Sequence, residues 1–137
     1  MTQPETILRY SLLACVVLFL AMATAHFFGI KIPVLFVYYD TPFFAYQDKI
    51  IAFCVVVYAL FFLAASRHQQ VVPYAITAMY VTSCGLTLVN VSDALDEAMT
   101  AMEGATTTPY WIQTGAIFGI AVWLTVWWRM IPKARTE

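Results

Sequence analysis

Apolar residues run along this chain in four long blocks separated by short polar segments. Tyr10 to Ile30, Ile50 to Ser66, Val71 to Ser92 and Gly104 to Trp128 contain no Lys, Arg, Asp or Glu. A helix needs roughly 20 apolar residues to cross the hydrocarbon layer of a membrane. Three blocks reach that length outright, and the second reaches it when extended back towards Pro42. The pattern predicts an all-α integral membrane protein, one domain over residues 1–137. Its expected form is a four-transmembrane-helix bundle of two helical hairpins. The expected spans are residues 6–30, 42–66, 71–91 and 109–131.

The punctuation between blocks supports those limits. Pro33 opposes continuation of the first helix, and Pro132 closes the last. Thr41-Pro42 and Thr108-Pro109 each read as a capping threonine followed by proline at the first helical position, where its missing N–H costs nothing. Each pair precedes two aromatics, Phe43-Phe44 and Tyr110-Trp111. This faint echo between the hairpins also arises from a good helix start set in an interfacial aromatic belt. Residues 92–104 are rich in Ala, Met and Glu, all good helix formers. They are expected to prolong the third helix beyond the bilayer or to bend into an amphipathic surface segment.

Composition removes the soluble alternative. The chain is 62% hydrophobic and 11% charged, against about 45–50% and about 25% in soluble domains. The net charge of −1 says little, but its distribution says more. Arg9, Arg67, Arg129, Lys133 and Arg135 fall on one side of the expected topology, and only Lys31 and Lys49 on the other. The positive-inside rule then places both termini in the cytoplasm, in a bacterial inner membrane or a plasma membrane. A competing possibility is that residues 1–25 form a cleaved signal peptide ending in Ala23-Thr24-Ala25. No basic cluster suggests a nucleic-acid partner; the expected partners are the lipid bilayer and either another membrane protein or further copies of this chain.

The candidate chemistry is sparse. Asp48 lies inside the expected second helix near the headgroup boundary, and ionisable groups in membranes are functional by default. Asp40 precedes the Thr41-Pro42 start, where negative charge also suits the helix dipole. His26, near the same end of the first helix, could respond to protons together with Asp40 or Asp48. An interfacial polar tip is the plainer explanation. In the third helix Ser83, Thr87 and Asn90 form a stripe that Asp93 and Glu97 extend. Such a stripe reads as a polar track to an acidic vestibule, or as interhelical hydrogen bonding. Gly115 and Gly119 form a G-x-x-x-G spacing that lets helices approach closely, within the chain or between chains.

Other chemistry finds little support. Asp93 and Glu97, with Asp40, Asp48 or Glu103, lack the spacing of a metal site, so no metal or cofactor is expected. Cys15, Cys54 and Cys84 all lie in apolar runs and read as small hydrophobes. The chain contains no H-E-x-x-H, G-x-S-x-G, C-x-x-C or glycine-rich phosphate loop, and nothing invites catalysis. The expected role is a non-catalytic accessory or structural subunit of a membrane complex. The alternative is an oligomeric small-solute or ion transporter that uses the polar stripe and the acidic outer mouth.

Overall fold

The computed structural model describes residues 2–32, 44–101 and 104–132. Its helices are α1 (Gln3–Phe28), α2 (Phe44–Arg67), α3 (Val72–Asn90), α4 (Asp93–Thr100) and α5 (Thr108–Arg129), with a 3-10 turn over Gln69–Val71 between α2 and α3. Four of them, all but α4, are long and apolar enough to cross a membrane. Asp40, Thr41, Pro42, Glu103, Lys133 and Arg135 lie outside the described residues.

Each long helix buries one seam whose spacing alternates between three and four residues. In α1 the seam is Leu8, Leu12, Cys15, Phe19, Ala23 and His26. In α3 it is Val72, Ile76, Met79, Ser83 and Asn90, with Leu86 half-buried between the last two. Buried Asp48, Ala52, Ala59, Phe62 and Ala65 carry it along α2, and Thr114, Ile117, Ala121 and Leu124 along α5. This three-four alternation is the mark of helices packed about 20° from parallel, as in coiled coils and most four-helix bundles. Opposite faces stay apolar as well: Val17, Val57, Leu60, Val81 and Leu88 are all exposed. That is expected where the surroundings are lipid.

Packing is closest between α1 and α2 and between α3 and α5, with α1 also meeting α5 and α2 meeting α3. Hydrogen bonds fix the directions. Gln69 Nε2 donates to Glu5 Oε1 at 3.1 Å, and Trp123 Nε1 donates to Ser11 Oγ at 2.9 Å. The beginnings of α1 and α3 therefore share one end with the finishes of α2 and α5. Arg9, Arg67 and Arg129 stand at that end, called the basic end below. The opposite, acidic end carries Asp93, Asp96 and Glu97 on α4.

The shared core lies towards the basic end. It joins Leu12 and Phe19 of α1, Phe62 of α2, Met79 of α3, and Ala121 and Leu124 of α5, and Phe62, Met79 and Leu124 are fully buried. Phe19 stacks on Tyr58 at 5.6 Å and meets Phe62 in a tilted arrangement at 5.3 Å between ring centres. Such separations fall in the favourable range for aromatic pairs.

Helix ends show where the expected limits shift. α1 stops at Phe28, before Pro33 is reached, because Gly29 adopts a left-handed conformation at φ 67°. Gly29 N–H and Ile30 N–H then return to the carbonyls of His26 and Ala25, satisfying groups the helix end leaves open. α1 runs unbroken through Ala23, Thr24 and Ala25. α3 stops at Asn90, and α4 is a separate helix. Ser92 makes that break: its backbone is extended, its Oγ donates to Val89 O at 2.7 Å, and the same oxygen accepts from Leu95 N–H at 3.4 Å. A serine that caps the following helix cannot also continue the preceding one.

Candidate functional site

Five polar side chains are buried among the described residues: His26, Asp48, Ser83, Asn90 and Thr114. Four of them form two cross-helix pairs, both towards the acidic end. His26 Nδ1 lies 3.3 Å from Asp48 Oδ1, joining α1 to α2. Asn90 Nδ2 donates to Thr114 Oγ1 at 2.9 Å, joining α3 to α5. Each hairpin thus carries one buried polar clasp.

The seam positions explain the clasps. His26 is the last buried residue of α1, and Asp48 the first in α2 among the residues whose burial is described. They belong to the same stripe as the apolar core, one helical layer beyond it. Asp48 is only 7% exposed. It therefore lies inside the α1–α2 contact, not in the headgroup water expected for a residue near a helix start. Its neighbour Lys49 points elsewhere and is exposed, since adjacent helical residues diverge by roughly 100°. A buried carboxylate needs a donor; with a proton on Nδ1, the imidazole of His26 donates to Asp48. The pair can clasp two helices and hold a proton between them.

The second clasp has a more general design. Thr114 Oγ1 gives its own hydrogen to Tyr110 O at 2.9 Å, so its lone pair is left to accept from Asn90. Two further contacts repeat this logic. Thr82 donates to Ala78 O, so the Tyr58 hydroxyl 2.8 Å away must donate to Thr82. Thr125 donates to Ala121 O, and Tyr80, 3.1 Å from it, must donate to Thr125. Each threonine satisfies its hydrogen within its own helix and accepts from the neighbour. In lipid, where no water competes, such contacts hold helices together. Tyr58, Thr82, Tyr80 and Thr125 were not among the expected site residues. Their signal in the sequence is tyrosine placed deep within a span, away from the interface it usually occupies.

The expected stripe on the third helix is only partly brought together. Ser83 and Asn90 face inward, while Thr87, rotated roughly 40° from Ser83, is exposed. Ser83 and Thr87 donate to Met79 O and Ser83 O along their own helix. Asp93 and Glu97 do not extend the row, because the turn at Ser92 redirects them; both are exposed on α4. Among the described residues no group of three His, Cys, Asp or Glu side chains converges as a metal site would require. Asp40 and Glu103 lie outside the described residues. Gly115 and Gly119 face outward on α5, and a methyl group on either would meet nothing within 4 Å. Among the described residues they mediate no close helix contact.

The Asn90 clasp makes a direct test of this geometry. Asn90→Ala is expected to lower stability by about 0.5–1.5 kcal/mol, the range of membrane interhelical hydrogen bonds, read as a reduced unfolding midpoint in mixed micelles. Thr114→Val should cost a similar amount, and the double variant little more than either alone.

No protein-family model, no curated protein and no solved structure matches this chain.

Proposed function

We propose that this protein is a non-catalytic accessory or structural subunit of a membrane complex, with both termini in the cytoplasm of a bacterial inner or plasma membrane. The orientation follows the arginines gathered at the basic end. One observation carries the role. The space between the four helices is closed by apolar side chains from every one of them, with Phe62, Met79 and Leu124 fully buried. The buried polar side chains nearby are engaged across helices or with their own backbone, as His26 is with Asp48, Asn90 with Thr114 and Ser83 with Met79 O, while Trp127 Nε1 is buried without a partner among the described residues. Among these residues the helices enclose no polar conduit for a solute, and no group of three His, Cys, Asp or Glu side chains converges.

The outward-facing glycines supply the complementary feature. Gly115 and Gly119 leave a shallow, unfilled face on α5, and such a face lets a neighbouring helix approach closely. The acidic side of α4 adds a polar surface at the opposite membrane face from the arginines.

Extraction in mild detergent at native expression, followed by mass and composition analysis, tests the proposal. A stoichiometric membrane-protein partner is expected. Gly119→Ile should reduce recovery of that partner by tenfold or so, the scale of about 1.4 kcal/mol, while leaving the unfolding midpoint of the isolated chain unchanged or slightly raised. A clean homo-oligomer without other subunits would instead favour transport, to be examined with Asp48→Asn and Asn90→Ala in a flux assay.

A further inference from the structure

At the basic end, a cleft of about 360 Å³ opens between the start of α1, the finish of α2 and the turn that leads into α3. Its rim is polar, with Glu5, Arg9, Arg67 and Gln69, and its inner wall is apolar, including Leu8 and Val72. Arg9 immediately precedes the charge-free run of α1, and Arg67 immediately follows that of α2. The cleft thus stands where hydrocarbon gives way to headgroups.

We infer that this cleft binds the phosphate-bearing headgroup of an anionic phospholipid, with the upper part of an acyl chain against the apolar wall. Three features converge on that ligand. First, the charge is complementary: among the described residues the rim carries Arg9 and Arg67 beside the carboxylate of Glu5, and that carboxylate accepts from Thr2 N–H at 2.7 Å and Gln69 Nε2 at 3.1 Å. Second, the cation is of the right kind. Guanidinium presents a planar fork of donors that matches phosphate oxygens and is weakly hydrated. Arg67 makes no hydrogen bond or ion pair with another described residue. Third, the site is amphipathic over a short distance. A soluble phosphate compound would gain nothing from Leu8 and Val72, whereas a lipid fills both halves. Basic pockets between helices on the cytoplasmic side commonly serve this purpose.

The test is native mass spectrometry of the full chain released from nanodiscs of equal parts phosphatidylglycerol and phosphatidylcholine. Preferential retention of phosphatidylglycerol is expected. Arg67→Gln should lower that preference roughly fivefold, since a basic residue near a membrane surface contributes about that factor. Arg67→Lys should retain part of it. Arg129→Gln, which removes a charge at the same end but outside the cleft, should leave it unaltered. Equal retention of the two lipids would overturn the inference. So would an Arg129→Gln effect as large as that of Arg67→Gln, which would show general attraction to a basic surface. Displacement of the lipid by millimolar glycerol phosphate would also overturn it, by showing that the acyl chain contributes nothing.

Discussion

Replacing Asp48 with alanine is expected to lower the unfolding free energy by about 1–3 kcal/mol, because it takes a buried acceptor away from His26 Nδ1. The measurement is a denaturant titration in mixed micelles, with helicity followed by circular dichroism. The asymmetry between single and paired changes is the diagnostic part. Asp48→Asn keeps an oxygen 3.3 Å from the imidazole nitrogen and should cost much less. Replacing both His26 and Asp48 with leucine should recover most of the loss, since exchanging both partners of a buried polar contact for apolar groups of similar shape is often nearly neutral. A loss below about 1 kcal/mol for Asp48→Ala would mean that water reaches the pair and that the clasp does not hold α1 to α2.

Phe62→Ala is the second large effect, expected at about 3–5 kcal/mol in the same titration. Phe62 is fully buried, lies against Phe19 at 5.3 Å between ring centres, and belongs to the core shared by all four long helices. In lipid there is little hydrophobic drive between helices, so shape and dispersion contacts carry the packing. Removing the ring empties a volume that the fixed helices cannot easily close. Phe53→Ala provides the contrast. Phe53 sits on the same helix but is 65% exposed, and its loss should change the midpoint little. If the two variants behaved alike, the core would not be where the structure places it.

Much of the architecture is legible in the residues themselves. The four charge-free runs require helices, because a chain in hydrocarbon must satisfy its backbone hydrogen bonds internally. Pro4, Pro73 and Pro109 stand near the starts of α1, α3 and α5. His26, Asp48 and Asn90 stand out as polar groups in apolar surroundings, and the possibility that His26 meets Asp48 follows from their placement at one end of adjacent helices.

Which face of each helix points inward is a different matter. In a soluble protein the polar face marks the outside, but here Val17, Val57, Val81 and Leu88 face outward just as apolar residues line the core. With both sides apolar, periodicity carries almost no orientation. Only the packed structure shows that Asn90 meets Thr114 while Thr87 lies outward, and that Gly115 and Gly119 open away from the other helices. The tyrosine–threonine contacts were hidden for a related reason: each joins residues on different helices, and their pairing depends on helix rotation. The break at Ser92 turned on a cap geometry that competes with good helix propensity on both sides. By itself, then, the sequence determined that the chain forms membrane-length helices, roughly where they begin and end, and which polar residues they carry. Tertiary packing alone decided which of those residues meet, because lipid solvates every apolar face alike and leaves helix rotation to shape and to the few hydrogen bonds between helices.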